Sequence, residues 1–592
     1  MAEAKKQSLL NGALILSGAV VLVKILSMFF KLYVANKIGY GGAGLYSIAY
    51  DIYTPIYSIA LAGLPTAVSK MVASELAQEH YKDVKKLFTV SNLLFALMGV
   101  LGTAILVLLA YPYAASQGSP SALPCIIAIA PSVFFCCVMS GYRGYYQGHR
   151  NMTPSAVSQV FEAAGKLIFG WLFLNLILGS SMEFAEHIPI FNKVVTNAQA
   201  AYASTAAILG VTAGSVIGLI YLFLYRAAKK DGITASMLER SPAAQSRKAL
   251  AKRLIAIAIP ISVSSIVFNL TTLIDNWTVG NRLFAVLERN FDTVAAMYPD
   301  VISALRFTPE RTSDFKDYLF GAYNLVLEIK NVVPTFTITL GLSALPILSE
   351  SWTKKELPAV RHSIEAVIRL SMLIALPAGV GMIALADDLL FLLFGSSAMN
   401  APAIPYIAPI LVLYGVSVVF LALVQPLISV LQAIDRMDVP IKGMLIGATV
   451  KVIANFALVS IPSINIQGAV VGSILCNVVM VTYGMVVLAK ETKLKYRWGS
   501  LLFRPLGAAL ISGAAGWLTN SIFEKALPPY GLTFVFRFLS TDNIACVMGV
   551  FAAVIFYVFG LFALRAVTKD DISMLPGGRK IAKRLAKYGL LG

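Results

Sequence analysis

Charge is scarce in this chain. Only 13% of its 592 residues are Asp, Glu, Lys or Arg, 58% are hydrophobic and the mean hydropathy is +0.76. That balance excludes an ordinary soluble fold. The apolar residues run in continuous stretches of about 20 or more and do not alternate, which excludes a closed β-barrel and fits helices crossing a hydrocarbon core about 30 Å thick. Cysteine is also rare. Cys125, Cys136, Cys137, Cys476 and Cys546 lie in or beside apolar runs, with no metal-ligand spacing and no extracellular pairing pattern, so they read as small core residues. A GxxxxGK[ST] phosphate loop is missing, which argues against direct drive by ATP. Acidic residues are the minority, 30 against 48 basic, for a net charge of +18. In a soluble protein that excess would point to nucleic acid. Here membrane topology accounts for it, and no nucleic-acid partner is expected.

What is present predicts an all-α polytopic membrane protein of about 14 transmembrane helices, separated by short Gly, Pro and polar breaks. The first apolar run carries Lys24 and Lys31 and no small-residue cleavage site follows it, so it reads as a retained span and not a signal peptide. With the N-terminus placed inside, most Lys and Arg fall on inner segments, and both termini are expected in the cytoplasm. The basic loop 227–250 divides the chain. Residues 1–226 form an expected N-lobe of spans 1 to 6, and 251–490 a C-lobe of spans 7 to 12 with an outer loop at 281–316. Residues 491–592 hold two further spans and a basic tail suited to an anionic inner leaflet.

The two halves echo each other. Gln147, Met152 and Lys166 recur 285 residues later as Gln432, Met437 and Lys451, and "GLPTAVSKMVASE" (from Gly63) is echoed by "GLSALPILSESW" (from Gly341). Six spans separate the copies, so equivalent helices run in the same direction. This is a parallel repeat, which predicts two pseudo-symmetric six-helix lobes about a central cavity. Lys166 and Lys451 then occupy equivalent places in the fifth span of each lobe.

Ionisable residues at mid-depth are costly and mark function. They are Lys24 and Lys31 in span 1, Glu162 and Lys166 in span 5, Glu328 and Lys330 in span 8, and Lys451 in span 11. Lys24 and Lys31, two helical turns apart, point the same way. Glu162 and Lys166 have the spacing of an intrahelical ion pair. Glu328 and Lys330, about 200° apart around a helix, cannot both face one spot. Lysine outnumbers glutamate in this set, and a buried surplus of ammonium should be lined by water or await an anion. Arg143, Arg369 and Arg504 lie near inner ends, where they can snorkel, and Asp387 and Asp388 near an outer end. Prolines at 55, 65, 131, 260, 334, 346, 377 and 426 permit kinks that serve either movement or static packing.

The motifs "GLPTAVSKMVASE" and "SGYRGYYQGHRNMTPSAVSQVFEAAGKL" (from Ser140), on two lobes plus two spans, resemble the MurJ-type and stage V sporulation protein B-like polysaccharide transporters of the multidrug/oligosaccharidyl-lipid/polysaccharide exporter superfamily. The likeness runs over about residues 10–565. It implies a flippase carrying an undecaprenyl-pyrophosphate-linked saccharide, lipid II or a related wall or spore-cortex precursor, from inner to outer leaflet. It also implies basic residues in spans 1, 2 and 8. Lys24 matches the first, Ser58 stands in the region of the second, and Leu327, Glu328 and Lys330 lie near the third. Some members bind sodium between spans 7 and 11. Asp275 is a sodium-site candidate on this basis, although Lys451 occupies the span 11 face and can replace the cation. The last two spans correspond to a groove for the prenyl tail.

The expected partners are a lipid-linked anionic oligosaccharide and membrane lipids, with the protein acting as a monomer. No cofactor is expected, and the drive is membrane potential or an ion. A cation-coupled multidrug antiporter of the same fold is the alternative, although it should show uncompensated carboxylates. A membrane enzyme is disfavoured because the segment 281–316 has no His and no acid/base motif.

Overall fold

The computed structural model describes residues 9–58, 63–180, 187–188, 193–194, 198–229, 231–526 and 540–568. These residues are almost wholly helical, with one two-residue antiparallel pairing at His187–Ile188 and Lys193–Val194. Contacts divide the chain into two compact units.

The first unit holds α1 (Leu9–Ser58), α2 (Leu64–Ala77), α3 (Tyr81–Ser116), α4 (Leu123–Gly148), α5 (Thr153–Gly179), α6 (Ala198–Ala228), α7 (Ala235–Arg240) and α8 (Arg247–Ala295) as far as Phe284. It also takes in Phe307–Gly321, including the start of α10 (Thr312–Thr353), which follows α9 (Pro299–Leu305). The second unit holds Ala285–Arg306, with the end of α8 and α9, and the remainder of α10, then α11 (Leu357–Ala384), α12 (Ala386–Phe394), α13 (Ile404–Ala433), α14 (Asp438–Ala454), α15 (Gln467–Thr492), α16 (Arg504–Ala526) and α17 (Thr541–Ala563).

Among the described residues, eleven helices are long and apolar enough to cross a membrane, which establishes the polytopic all-α class. The first, α1, counts once but covers spans 1 and 2. Gly39, at φ 68, breaks its helical path and is the only residue type that takes this conformation without strain. The helices α8 and α10 cover the expected seventh and eighth spans.

Close packing in the first unit depends on small residues. A Cβ on Gly210 of α6 would lie 2.4 Å from the Gly170 backbone of α5, and one on Gly214 would lie 2.4 Å from the Glu162 carbonyl. This is the small-residue spacing that lets membrane helices approach. It fixes the α5 face bearing Glu162 and Lys166. A second close crossing joins α1 to the start of α10, where a Cβ on Gly321 would meet the Tyr40 carbonyl at 1.8 Å. In the second unit a core of Leu348, Ile364, Ile368, Leu427, Leu431 and Leu488 joins α10, α11, α13 and α15. There α16 and α17 also pair, with Ser512 Oγ donating to the Ala553 carbonyl at 2.7 Å.

Two segments read as loops are more ordered than expected. The segment 281–316, expected as an outer loop, is mostly helical: α8 runs on to Ala295, α9 follows, and α10 starts at Thr312. The linker 227–250 contains α7 and is pinned to α3. Gln245 N donates to Asp83 Oδ1 at 2.7 Å and Lys82 Nζ to the Ser241 carbonyl at 3.0 Å. The basic tail from residue 569 lies outside the described residues.

Candidate functional site

The second half of α1 carries tyrosines at 46, 50, 53 and 57, spaced four, three and four, so they form one stripe on the helix. The rings of Tyr46 and Tyr50 stack at 4.8 Å between centroids and those of Tyr53 and Tyr57 at 5.1 Å, while Tyr50 meets Tyr53 edge-on at 5.8 Å. The Lys31 ammonium, from the first half of α1, lies 6.0 Å from the Tyr50 centroid. From α5, the Lys166 ammonium lies 5.1 Å from the same centroid and 5.4 Å from that of Phe30. The kink at Gly39 and the α5–α6 glycine packing together bring Lys31 and Lys166 to one aromatic ring. Lys24, seven residues before Lys31, is exposed on α1.

Glu162 does not pair with Lys166. Its carboxylate takes the guanidinium of Arg143, with Nη2 to Oε2 at 2.8 Å. Arg143 Nε also donates to Ser158 Oγ at 2.9 Å. The expectation that Arg143 snorkels is wrong: the residue is 3% exposed, held by Glu162 from one turn further along α5 than Ser158. Arg369 is likewise buried, and its Nη2 reaches Thr568 Oγ1 at 3.2 Å. Arg504 is exposed. With Glu162 taken, Lys166 has no carboxylate at ion-pair distance among the described residues. It keeps the aromatic faces, which suit a cation but leave its charge uncompensated.

In the second unit, Lys330 is buried with its ammonium 4.2 Å from the Tyr414 centroid, and Glu328 is exposed. The expected divergence of these two around the helix is what the structure shows. Lys451 is half-buried on α14, where its carbonyl lies against Gly472 of α15. Asp275 is buried on α8 within the first unit.

Two features went unremarked at the level of sequence. The tyrosine stripe was legible in the spacing of "YSIAYDIYTPIY" (Tyr46 to Tyr57). The Arg143–Glu162 pair was not, because nothing local links α4 to α5. At the turn between those helices His149 Nδ1 donates to the Tyr145 carbonyl at 2.9 Å, and burial lowers the ring's pKa below the usual histidine value.

The fold belongs to a class of polytopic helical transporters. Its structure resembles an inward-facing multidrug resistance MATE family transporter of the MOP superfamily, at TM-score 0.62 and 12% identity over 80% of this chain and 94% of that one. It also resembles lipid II flippase MurJ in an inward closed conformation, at TM-score 0.58 and 14% identity over 93% and 99%. The chain belongs to the polysaccharide biosynthesis protein family, whose model matches residues 9–352, and the model for lipid II flippase MurJ matches residues 332–537. Stage V sporulation protein B of Bacillus subtilis (strain 168) is 26% identical over 96% of this chain and 98% of its own length.

Proposed function

We propose that this protein is a flippase that moves an anionic, lipid-linked saccharide of the undecaprenyl-pyrophosphate class from the inner to the outer leaflet of a bacterial plasma membrane. Lipid II or a related wall or spore-cortex precursor is the cargo that the names of its relatives favour. The observation that carries this reading is the Lys166 ammonium, held inside a membrane helix over Tyr50 and Phe30 while the nearby Glu162 is committed to Arg143. A site with a free cation and an aromatic wall suits a pyrophosphate joined to sugar rings. Lys24, Lys31, Glu162, Glu328, Lys330 and Lys451 are the further residues that the sequence assigns to cargo.

The two lobes, 1–226 and 251–490, expose the site alternately, with both termini in the cytoplasm and one chain sufficient. No covalent chemistry is assigned, and the drive is the membrane potential or an ion, without ATP. A drug exporter for organic cations would share the fold but should turn a free carboxylate toward its cargo.

The test is a leaflet assay in proteoliposomes with the purified chain, comparing lipid II and a cationic dye. Movement of lipid II that is lost in Lys166→Ala supports the proposal. Movement of the dye alone overturns it.

A further inference from the structure

Arg143 is locked between α4 and α5 by a closed ring of bonds. Its Nη2 donates to Glu162 Oε2 at 2.8 Å and lies 3.6 Å from the Met139 sulfur, and its Nε donates to Ser158 Oγ at 2.9 Å. Ser158 Oγ donates onward to the Ser155 carbonyl at 2.8 Å, and Ser155 Oγ donates to the carbonyl of Arg143 at 3.3 Å. The second carboxylate oxygen of Glu162 lies 4.0 Å from the Cys136 sulfur. Glycine on α6 makes the floor of this pocket. A Cβ on Gly218 would meet Met139 Sδ at 2.9 Å and Glu162 Cβ at 3.3 Å.

Glu162 and Lys166 stand one turn apart on α5, in the order that favours an ion pair along a helix. That pair does not form, because Arg143 is 3% exposed and a guanidinium left alone there would be a buried, uncompensated charge. The guanidinium also gives Glu162 a charge-assisted bond. Remove it, and the stranded group is Glu162, with the Lys166 ammonium one turn away. Of the three charges, two are positive and one is negative. The pairing observed leaves the surplus positive charge on Lys166, over Tyr50 and Phe30. Without Arg143 the three sum to zero, and an added anion loses its attraction.

We propose that Arg143 is a positioning residue for the cargo site: by holding Glu162 it keeps that carboxylate off Lys166, and so sets the site's preference for an anion. The identity of the anion, a pyrophosphate-bearing lipid, rests on the flippase reading. Glu162 then acts through Arg143 and not as the cargo contact that the sequence suggests.

The two ways of breaking the pair are therefore not equivalent, and the test compares them in the full-length chain purified in detergent. One readout is lipid II binding per folded protein. The other is the rate at which N-hydroxysuccinimidyl acetate acetylates Lys166, read at that residue by peptide mass spectrometry without lipid present. Acetylation needs the neutral amine, so a carboxylate joined to Lys166 slows it. Arg143→Met should weaken lipid II binding about tenfold or more and slow acetylation of Lys166. Glu162→Gln breaks the same pair but removes the negative charge. It should bind lipid II at least as tightly as wild type, with acetylation no slower. Arg143→Met combined with Glu162→Leu should return both readouts to near wild type, because no carboxylate is left to join Lys166. If the pair serves only to hold the helices, both single variants should lose binding together. That outcome overturns the proposal, as does wild-type acetylation of Lys166 in Arg143→Met. Where one single variant does not fold, the other is compared with wild type and with the double variant, and the direction of its change decides. Absence of lipid II binding by wild type rejects the flippase reading, while the acetylation rates still decide the role of Arg143.

Discussion

Lys31 and Lys166 share the ring of Tyr50, at 6.0 and 5.1 Å from its centroid, although they come from helices more than a hundred residues apart. Two ammonium groups beside one aromatic ring form a cationic patch that an added anion would favour. Lys31→Ala and Lys166→Ala should therefore each weaken binding of a pyrophosphate-bearing lipid by about 10–100-fold, the range for a charge-assisted contact. The folded yield of both should match wild type. Tyr50→Phe should retain most of the affinity, since the ring face is kept, whereas Tyr50→Leu should lose it. Equilibrium binding of lipid II to the purified variants checks all four.

The Arg143–Glu162 pair makes the opposite kind of prediction. Both groups are largely withdrawn from solvent, so removing one strands the other. Glu162→Gln should destabilise the protein by about 3–5 kcal/mol, read as a lowered Tm in detergent. Replacing both, as Arg143→Met with Glu162→Leu, should recover much of that loss. If the double variant is no more stable than the single, the pair is not what holds α4 to α5.

How far the sequence reaches is clear from these two cases. The class of fold follows from composition, because no other structure hides so many backbone groups among so many apolar side chains. The span 4–5 motif and its distant echo put Lys166 on an apolar helix, and the structure has it on α5. What periodicity does not reveal is the partner. The four-residue spacing of Glu162 and Lys166 suggests an intrahelical ion pair, yet Arg143 on the preceding helix wins the carboxylate because it is more deeply buried and cannot reach water. The same limit hid Asn276 from Asp51, which lie over two hundred residues apart. The helical character of 281–316 was missed for another reason: charged residues break its hydropathy, although the end of α8, α9 and the start of α10 make up most of it.

Helix packing in the first unit is testable by size alone. A Cβ on Gly210 would lie 2.4 Å from backbone atoms of Gly170, and backbone cannot move aside as a side chain can. Gly210→Ala should cost about 1–3 kcal/mol despite alanine's better helix propensity. Gly179→Ala, where nothing lies within 4 Å, should be neutral. Thermal unfolding of the two variants gives the comparison, and equal Tm values would contradict the close contact.

His149 gives a pH dependence. Burial favours its neutral form, so the folded state binds a proton less readily than the unfolded state. The unfolded state then holds more protons once pH drops below the ordinary histidine pKa of about 6.5. The stability contribution is fully present above that value and is lost as pH falls through it toward the lower folded pKa. His149→Gln should flatten the Tm profile on the acid side of neutrality while changing it little at pH 8. A variant profile as steep as wild type would show that other groups set the acid limb.

The proposed function carries an expectation about the energy source. A bacterial interior is electrically negative, so an anionic head group moves downhill when it travels outward. Each elementary charge crossing 100 mV is worth about 2.3 kcal/mol, so a pyrophosphate with about two charges gains roughly 4–5 kcal/mol. On the proposed reading Lys31 and Lys166 would offset that charge in transit, but they stay with the protein. Over a full cycle the net charge moved is that of the cargo, plus that of any ion which travels with it. In proteoliposomes without ATP, an inside-negative potassium diffusion potential should therefore speed outward movement of lipid II, and reversing the potential should slow it. If the rate ignores the sign of the potential at fixed sodium, the cargo's charge is cancelled by a co-transported cation, and the dependence on sodium concentration should then become the dominant one. If the rate responds to neither potential nor sodium, electrical drive is rejected.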